Sequence, residues 1–338
     1  MAGAQHAGRA SGPAWIGGFE GNGRRLIETY RVEAAMLGAL LLLCAVLSIF
    51  AENFLTEGNI RNVLWQVTAV GIIAIGQTFV ILTAGIDLSV GGIAAVAAMA
   101  GGLVMQDTNV VLGIAATLLA GAGCGLVNGL LISYGRLAAF IVTLGMLSVT
   151  TSLTYVISDA ASIVGLSDSY RIFGRKIIPG LPGSIPLYLV IFVVLYVVGH
   201  ILLVQTKLGR FVYAIGSNEE ASRLSGVNVR LYKTIPYVLT GFLCGVATLI
   251  LSGRLGVIDP DTGQGYELDT IAAVVIGGTS LFGGKGSLIG TLIGVFLIGV
   301  LNNGLNLLKV SPFWQGTAVG GVIILSVLLE RIFRRRGA

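Results

Sequence analysis

The feature that most restricts this chain is a series of apolar runs, each near the roughly 20 residues a helix needs to cross a bilayer. They recur from residue 34 to residue 329. We place ten: Ala34 to Ala51, Val63 to Ala84, Leu88 to Met105, Val110 to Ser133, Ala138 to Ile157, Pro186 to Val204, Thr234 to Ser252, Thr270 to Leu281, Leu288 to Leu307 and Phe313 to Leu329. This predicts an all-α polytopic membrane protein. The second and third runs are nearly continuous and the eighth is short. Broken or re-entrant backbone is expected there, since irregular backbone at membrane depth survives only against protein or a cavity.

Composition agrees. Charged residues make up 11 % of 338, against about 25 % in soluble proteins, too few to cover a water-soluble domain of this size. The 50 glycines have no Gly-X-Y period and come with only seven prolines, which excludes collagen and linker-like disorder.

Three organisational units are expected. Residues 1–30 are polar and Gly-rich without a secretory signal pattern and read as a flexible cytoplasmic tail. Residues 31–333 form the membrane domain, and 334–338 a basic tail. With both termini placed in the cytoplasm, fifteen of the 21 Lys and Arg residues fall on the inner side, the sense of the positive-inside rule. Two connections exceed an ordinary turn: Ser158 to Ile185 outside and Gln205 to Lys233 inside. Loops this long usually have a task.

The sequence also hints at a repeat. Asn128-Gly129-Leu130 recurs as Asn303-Gly304-Leu305, an offset of 175, and Phe140 and Phe313 follow at the start of the next runs. An offset of five spans would make the halves inverted, giving a five-plus-five arrangement. Glycine stripes, Gly121, Gly125 and Gly129 in one half and Gly286, Gly290 and Gly294 in the other, are expected chiefly to let helices pack closely.

Catalytic chemistry has little to work with. Neither a His-Glu-x-x-His nor a Gly-x-Ser-x-Gly motif occurs, and Gly283-Gly284-Lys285-Gly286 fails as a phosphate loop at both ends, so no catalytic residue is assigned. Lys285 is expected to orient a span. Cys44, Cys124 and Cys244 lie in apolar runs, and with only two histidines no disulfide or metal site is expected.

Asp87 is the one acidic residue between long apolar runs. It reads either as a proton or cation site or as the N-cap of the third span, with Gly85 permitting the bend. Gln77, Thr83 and Ser89 nearby, and more distantly Asn128, Thr143 and Asn303, are candidates for a translocation path or for helix-to-helix hydrogen bonds. In the inner connection, Asn218 is placed to cap a short helix with Glu219 and Glu220 in its first turn and Glu220 three residues from Arg223, ended by Gly226. It reads as a solvated connector or as a handle for a soluble partner.

Several blocks then resemble a known family. Glu220-Ala221-Ser222-Arg223-Leu224-Ser225-Gly226 resembles the Glu-Ala-Ala-x-x-x-Gly coupling motif of ABC importer permeases, with Ser222 for the second Ala. The stretch from Gly76 to Gly91, Asn128-Gly129-Leu130-Leu131, Phe140 to Met146, Val274 to Gly284 and Asn302 to Leu308 are similar to ribose-type sugar permeases, in family order. Two departures, Ala138-Ala139 where relatives often have proline and Thr151-Ser152 where they carry Arg-Gly, leave the sugar open.

The resemblance implies a multi-pass permease subunit of the bacterial inner membrane that imports a sugar or sugar-like molecule. It implies three partners: a separate ABC ATPase carrying ATP and magnesium, a periplasmic or lipid-anchored sugar-binding protein, and a second permease copy. It implies no cofactor on this chain and no nucleic acid. Glu219, Glu220, Ala221, Arg223 and Gly226 would couple to the ATPase. The alternative is a secondary transporter or facilitator that needs no ATPase and uses Asp87 for coupling.

Overall fold

The computed structural model describes residues 31–178, 185–311, 314–322, 324, 325 and 328. The expected tails, 1–30 and 334–338, lie outside the described residues. In chain order come α1 (Arg31–Phe50), α2 (Glu57–Leu82), α3 (Val90–Asp107), α4 (Val110–Ser133) and α5 (Ala139–Ser158). An outer connection follows, with β1 (Ile163–Val164), α6 (Asp168–Arg175), β2 (Ile177–Ile178) and β3 (Ile185–Pro186). Then come α7 (Leu187–Gln205), α8 (Lys207–Ser217), α9 (Glu219–Leu224), α10 (Val229–Leu255), β4 (Val257–Ile258), α11 (Tyr266–Ile276) and α12 (Leu288–Leu307).

Eight of these helices are long and apolar enough to cross a membrane, which makes the chain a multi-pass membrane protein. Of the ten expected runs, the eighth is the 11-residue α11. The last is helical over 314–322, its expected ends Phe313 and Leu329 lying outside the described residues. Helices α4 and α12 begin and end where expected. Helices α2 and α10 start earlier, because Thr56 and Asn228 cap polar first turns that hydropathy does not register: Thr56 Oγ1 accepts from the Asn59 N–H and Asn228 Oδ1 from the Leu231 N–H.

Helix α2 is the buried centre. It runs antiparallel to α10: Arg254 donates to Asn62 at 2.7 Å near one end, while Gly76 faces Thr240 further along. Helix α4 lies antiparallel on the other side of α10, with Gly121, Gly125 and Gly129 against Gly241, Tyr237 and Thr234. A Cβ on Gly125 would fall on the Tyr237 carbonyl, so this stripe serves close helix contact. Gly290 and Gly294 do the same for α12 against Gly277, just past the end of α11, and Ala273 within it. Gly286 enters the stripe from outside the helix: it precedes α12 with φ +153°, as a turn residue.

The helices bear out the inverted repeat. Helices α2, α3 and α4 recur as α10, α11 and α12, and the same offset of 175 that carries Asn128 onto Asn303 carries Asn59 onto Thr234. Asn59 bonds α2 to α12 through Asn303, and Thr234 bonds α10 to α4 through the Gly129 carbonyl at 3.2 Å. The antiparallel sense of α2 and α10 is the inversion.

The long connections lie at opposite ends. At one, β1 pairs with β4 (Ile163 with Ile258), β2 pairs with β3, and α6 packs on α10, with Tyr170 Oη 2.8 Å from Ser252 Oγ. At the other, α8 meets the turn from 277 to 287, where Gly216 lies against the Leu82 carbonyl and Gly284. Helix α8 was not anticipated in the inner connection. Its Gly209, Val212 and Ile215 are buried at three-residue spacing, so it is an amphipathic surface helix. All three cysteines are free.

Candidate translocation and coupling sites

Helix α2 ends at Leu82, where the Thr83 N–H and hydroxyl both donate to the Val80 carbonyl. The bend that follows is made by Ala84, with φ +58°, and not by Gly85 as the sequence suggested. Gly85 is required for space: a Cβ there would strike Tyr237 Oη. The chain then doubles back along α2 without regular structure before α3 begins, so the expected break between the second and third runs is real.

Three helices hold this segment. Gln77 Nε2 of α2 donates to the Asp87 carbonyl at 3.3 Å. Asp87 Oδ1 accepts from the Ser89 N–H at 2.9 Å and from the Ser89 hydroxyl at 2.5 Å. Asn128 Nδ2 of α4 donates to Ser89 Oγ at 2.8 Å, and Thr143 Oγ1 of α5 donates to the Ile86 and Ala139 carbonyls. All five side chains are fully buried.

The N-cap position of α3 is Ser89, not Asp87. Asp87 sits two residues earlier and accepts only from Ser89, so it shapes the approach to the helix without touching its first-turn amides. Asp87 Oδ2, Gln77 Oε1, Asn128 Oδ1 and Tyr237 Oη are buried without a hydrogen-bond partner among the described residues. Such groups are rare in folded proteins and costly to leave.

Two of the predicted path residues stand apart. Thr83 bonds only within its own helix end. Asn303 lies far along α12, where it exchanges hydrogen bonds with Asn59. Tyr237 and Asn59 were both missed. The offset of 175 that pairs Asn59 with Thr234 was a signal that could have found Asn59.

At the α8–α9 end, Asn218 Oδ1 accepts from the Ala221 N–H at 2.9 Å, the expected cap. Helix α9 ends at Leu224, and Gly226 takes φ +82° in open space. The Arg223 guanidinium grips Glu220 at 3.0 and 2.5 Å, and Lys233 Nζ lies 2.9 Å from Glu219. The Arg223 pairing holds the Glu220 carboxyl below the usual carboxylate range. Ser222 is the one buried side chain of α9, its hydroxyl satisfied by the Asn218 carbonyl, which accounts for a small residue where the motif has Ala. Leu224 is 74 % exposed beside the charged pair. The helix thus presents an apolar tip and fixed charges on a base tied to α10.

An inverted-repeat membrane protein with a broken helix in each half, and a capped, rigid helix projecting from one end, is a membrane-embedded transport subunit. A family model for the permease component of branched-chain amino acid transport systems matches residues 59–328, and the chain belongs to that family. It is 43 % identical over 312 residues to the ribose import permease RbsC of Escherichia coli K12, covering 91 % of this chain and 97 % of that one. It is 47 % identical over 295 residues to the RbsC of Bacillus subtilis 168, covering 86 % and 90 %. To the D-allose transport system permease AlsC of Escherichia coli K12 it is 36 % identical over 305 residues, covering 88 % and 92 %. No solved structure matches the chain.

Proposed function

We propose that this chain is the permease subunit of an ATP-driven importer for ribose or a closely related sugar. The observation that carries the reading is α9: a capped helix with the coupling-motif pattern, built as a projecting handle on a chain that offers no nucleotide motif of its own. Its relatives named for ribose and allose support the substrate class.

In this reading the permease sits in the bacterial inner membrane with both termini and α9 in the cytoplasm, the orientation that the basic residues favour. Glu219, Glu220, Ala221, Arg223 and Gly226 dock into a groove of a partner ATPase that holds ATP and magnesium. A second permease copy completes the membrane unit, and a periplasmic or lipid-anchored binding protein delivers sugar at the α6 end. ATP-driven closure of the ATPase pair moves α9, and through α8 and α10 the membrane helices.

The test is reconstitution. Liposomes holding this chain with its co-purifying ATPase, supplied with the binding protein, are expected to accumulate ribose only with ATP, and a panel of sugars and polyols screened by thermal shift on the binding protein names the ligand. Uphill uptake by the purified chain alone, driven by a pH gradient, would overturn the reading in favour of Asp87-coupled transport.

A further inference from the structure

We propose that the cleft where α3 and α11 begin is a sugar-binding station on the translocation path, with Glu267 as its principal hydrogen-bond acceptor. The assignment rests on the sugar-importer reading. The cleft holds about 160 Å³ between the start of α3, the middle of α5 and the 260–267 segment. At about 30 Å³ per water it takes the equivalent of roughly five waters, the scale of a small polar molecule or part of one.

Its lining has the chemistry of hydroxyl recognition. Gly91 and Gly92 bring bare backbone, Thr151 a hydroxyl, Gln264 an amide, and Asp261 and Glu267 carboxylates. Leu147 adds an apolar patch suited to the C–H face of a ring. Glu267 Oε2 is buried and has no hydrogen-bond partner among the described residues. A Cβ on Gly91 would land on that oxygen, so only glycine leaves room for the carboxylate at this position.

The surrounding loop is preformed. Asp261 is held by the Tyr155 hydroxyl, its N–H donates to Asp259 Oδ1 at 2.9 Å, and Ser162 Oγ donates to Asp259 Oδ2 at 2.7 Å. Among the described residues no group of His, Cys, Asp or Glu is arranged to hold a metal, so these carboxylates read as acceptors for hydroxyls.

Position supports the same conclusion. The starts of α3 and α11, residues 90 and 266, fall within one residue of the repeat offset of 175 and lie against each other, with the Gly91 region touching Gly263 and Glu267. In many secondary transporters built from inverted repeats, substrate binds where helix starts meet at the repeat interface, and the same juxtaposition occurs here. Beside Thr151, α5 exposes Ser148 and Ser152, polar groups on a helix whose adjoining exposed face is Val149, Leu153 and Val156.

The test uses the complete transporter in liposomes with ATPase and binding protein. Glu267→Ala is expected to lower the maximal rate of ribose uptake by about tenfold or more and Gln264→Ala by about two- to tenfold, the scales of a lost charge-assisted and a lost neutral hydrogen bond. In a chain with Cys44, Cys124 and Cys244 replaced by Ala, Thr151→Cys is expected to react with a polar thiol reagent, and millimolar ribose to slow the reaction several-fold where equimolar betaine does not. Membrane yield and melting temperature report folding. Should Glu267→Ala fail to fold, Gln264→Ala and the protection of Thr151→Cys decide. Wild-type ribose uptake with unchanged rates in the folded variants and no protection would overturn the station while leaving the importer standing. Failure of the wild-type complex to transport any sugar would instead overturn the importer reading on which the station rests.

Discussion

Asn59 and Asn303 exchange a reciprocal pair of side-chain hydrogen bonds, at 3.0 and 2.8 Å, across the buried contact of α2 and α12. Each is under 10 % exposed, and Asn59 also donates to the Phe54 carbonyl. Removing Asn59 leaves the Asn303 amide without this pair of bonds, and removing Asn303 leaves Asn59 with the Phe54 carbonyl alone. Interhelical hydrogen bonds in membrane proteins average about 0.6 kcal/mol, and an orphaned buried group raises the cost to about 1–3 kcal/mol. Asn59→Leu and Asn303→Leu are each expected to destabilise by about 1–2 kcal/mol, and the double variant by about 1 kcal/mol less than their sum. Unfolding in detergent across the double-mutant cycle checks this; strict additivity would mean the pair does not act as a unit.

Two glycines of α4, two residues apart, are expected to behave oppositely. Gly125 carries no room for a side chain against the Tyr237 carbonyl, whereas a Cβ on Gly123 meets nothing within 4 Å. Gly125→Ala must push α4 away from α10, at a cost of about 1–3 kcal/mol for overpacking. Gly123→Ala should be neutral or gain up to about 1 kcal/mol in helix propensity. Melting temperatures of the two purified variants, compared with the parent, separate a packing stripe from a mere abundance of glycine.

The sequence carried the spans well because apolar runs of bilayer length leave few alternatives, and it carried α9 because Asn218, the paired charges and Gly226 act locally. What it did not carry depends on chain segments brought together from afar. The bend at 83–89 looked like glycine chemistry at Gly85, but the positive φ belongs to Ala84, and Gly85 is dictated by Tyr237, more than a hundred residues on. The ends of α2 and α10 were misplaced by hydropathy because their first turns are polar. Helix α8 escaped notice because its buried face, Gly209, Val212 and Ile215, is short and lies among charges. The cleft at Glu267 was invisible for the same reason as Tyr237: its walls come from α3, α5 and the stretch before α11.

On the proposed coupling helix, charge and backbone conformation can be tested separately. Glu220→Lys replaces an ion pair with Arg223 by a repulsion on an exposed surface, which changes what a partner meets more than it changes the fold. Gly226 has open space around it, so only its φ of +82° restricts substitution. Gly226→Ile should therefore cost about 1–2 kcal/mol of local conformation, while Gly226→Asn, which tolerates the left-handed region, should cost less. Both Glu220→Lys and Gly226→Ile are expected to insert normally and to lose ATP-driven uptake while the bound ATPase still hydrolyses, and Gly226→Asn to retain most uptake. Normal uptake in all three would remove α9 from the coupling path.

Asp87 separates the two transport mechanisms through a pair of variants. In Asp87→Asn the Oδ1 acceptor survives, so the bonds from the Ser89 N–H and hydroxyl can remain. Asp87→Ala strips both from a fully buried turn, a loss of about 1–3 kcal/mol for the unpaired groups. If the carboxylate only shapes the break, ATP-driven uptake by Asp87→Asn should stay within a few-fold of the parent, and Asp87→Ala should show reduced yield and melting temperature. If instead Asp87 carries a coupling proton, Asp87→Asn should fold as the parent does and lose gradient-driven accumulation altogether, because its amide cannot take up and release the proton. Uptake driven by ATP and by an imposed pH gradient, measured in the same liposomes for both variants, distinguishes a structural acceptor from a titrating one.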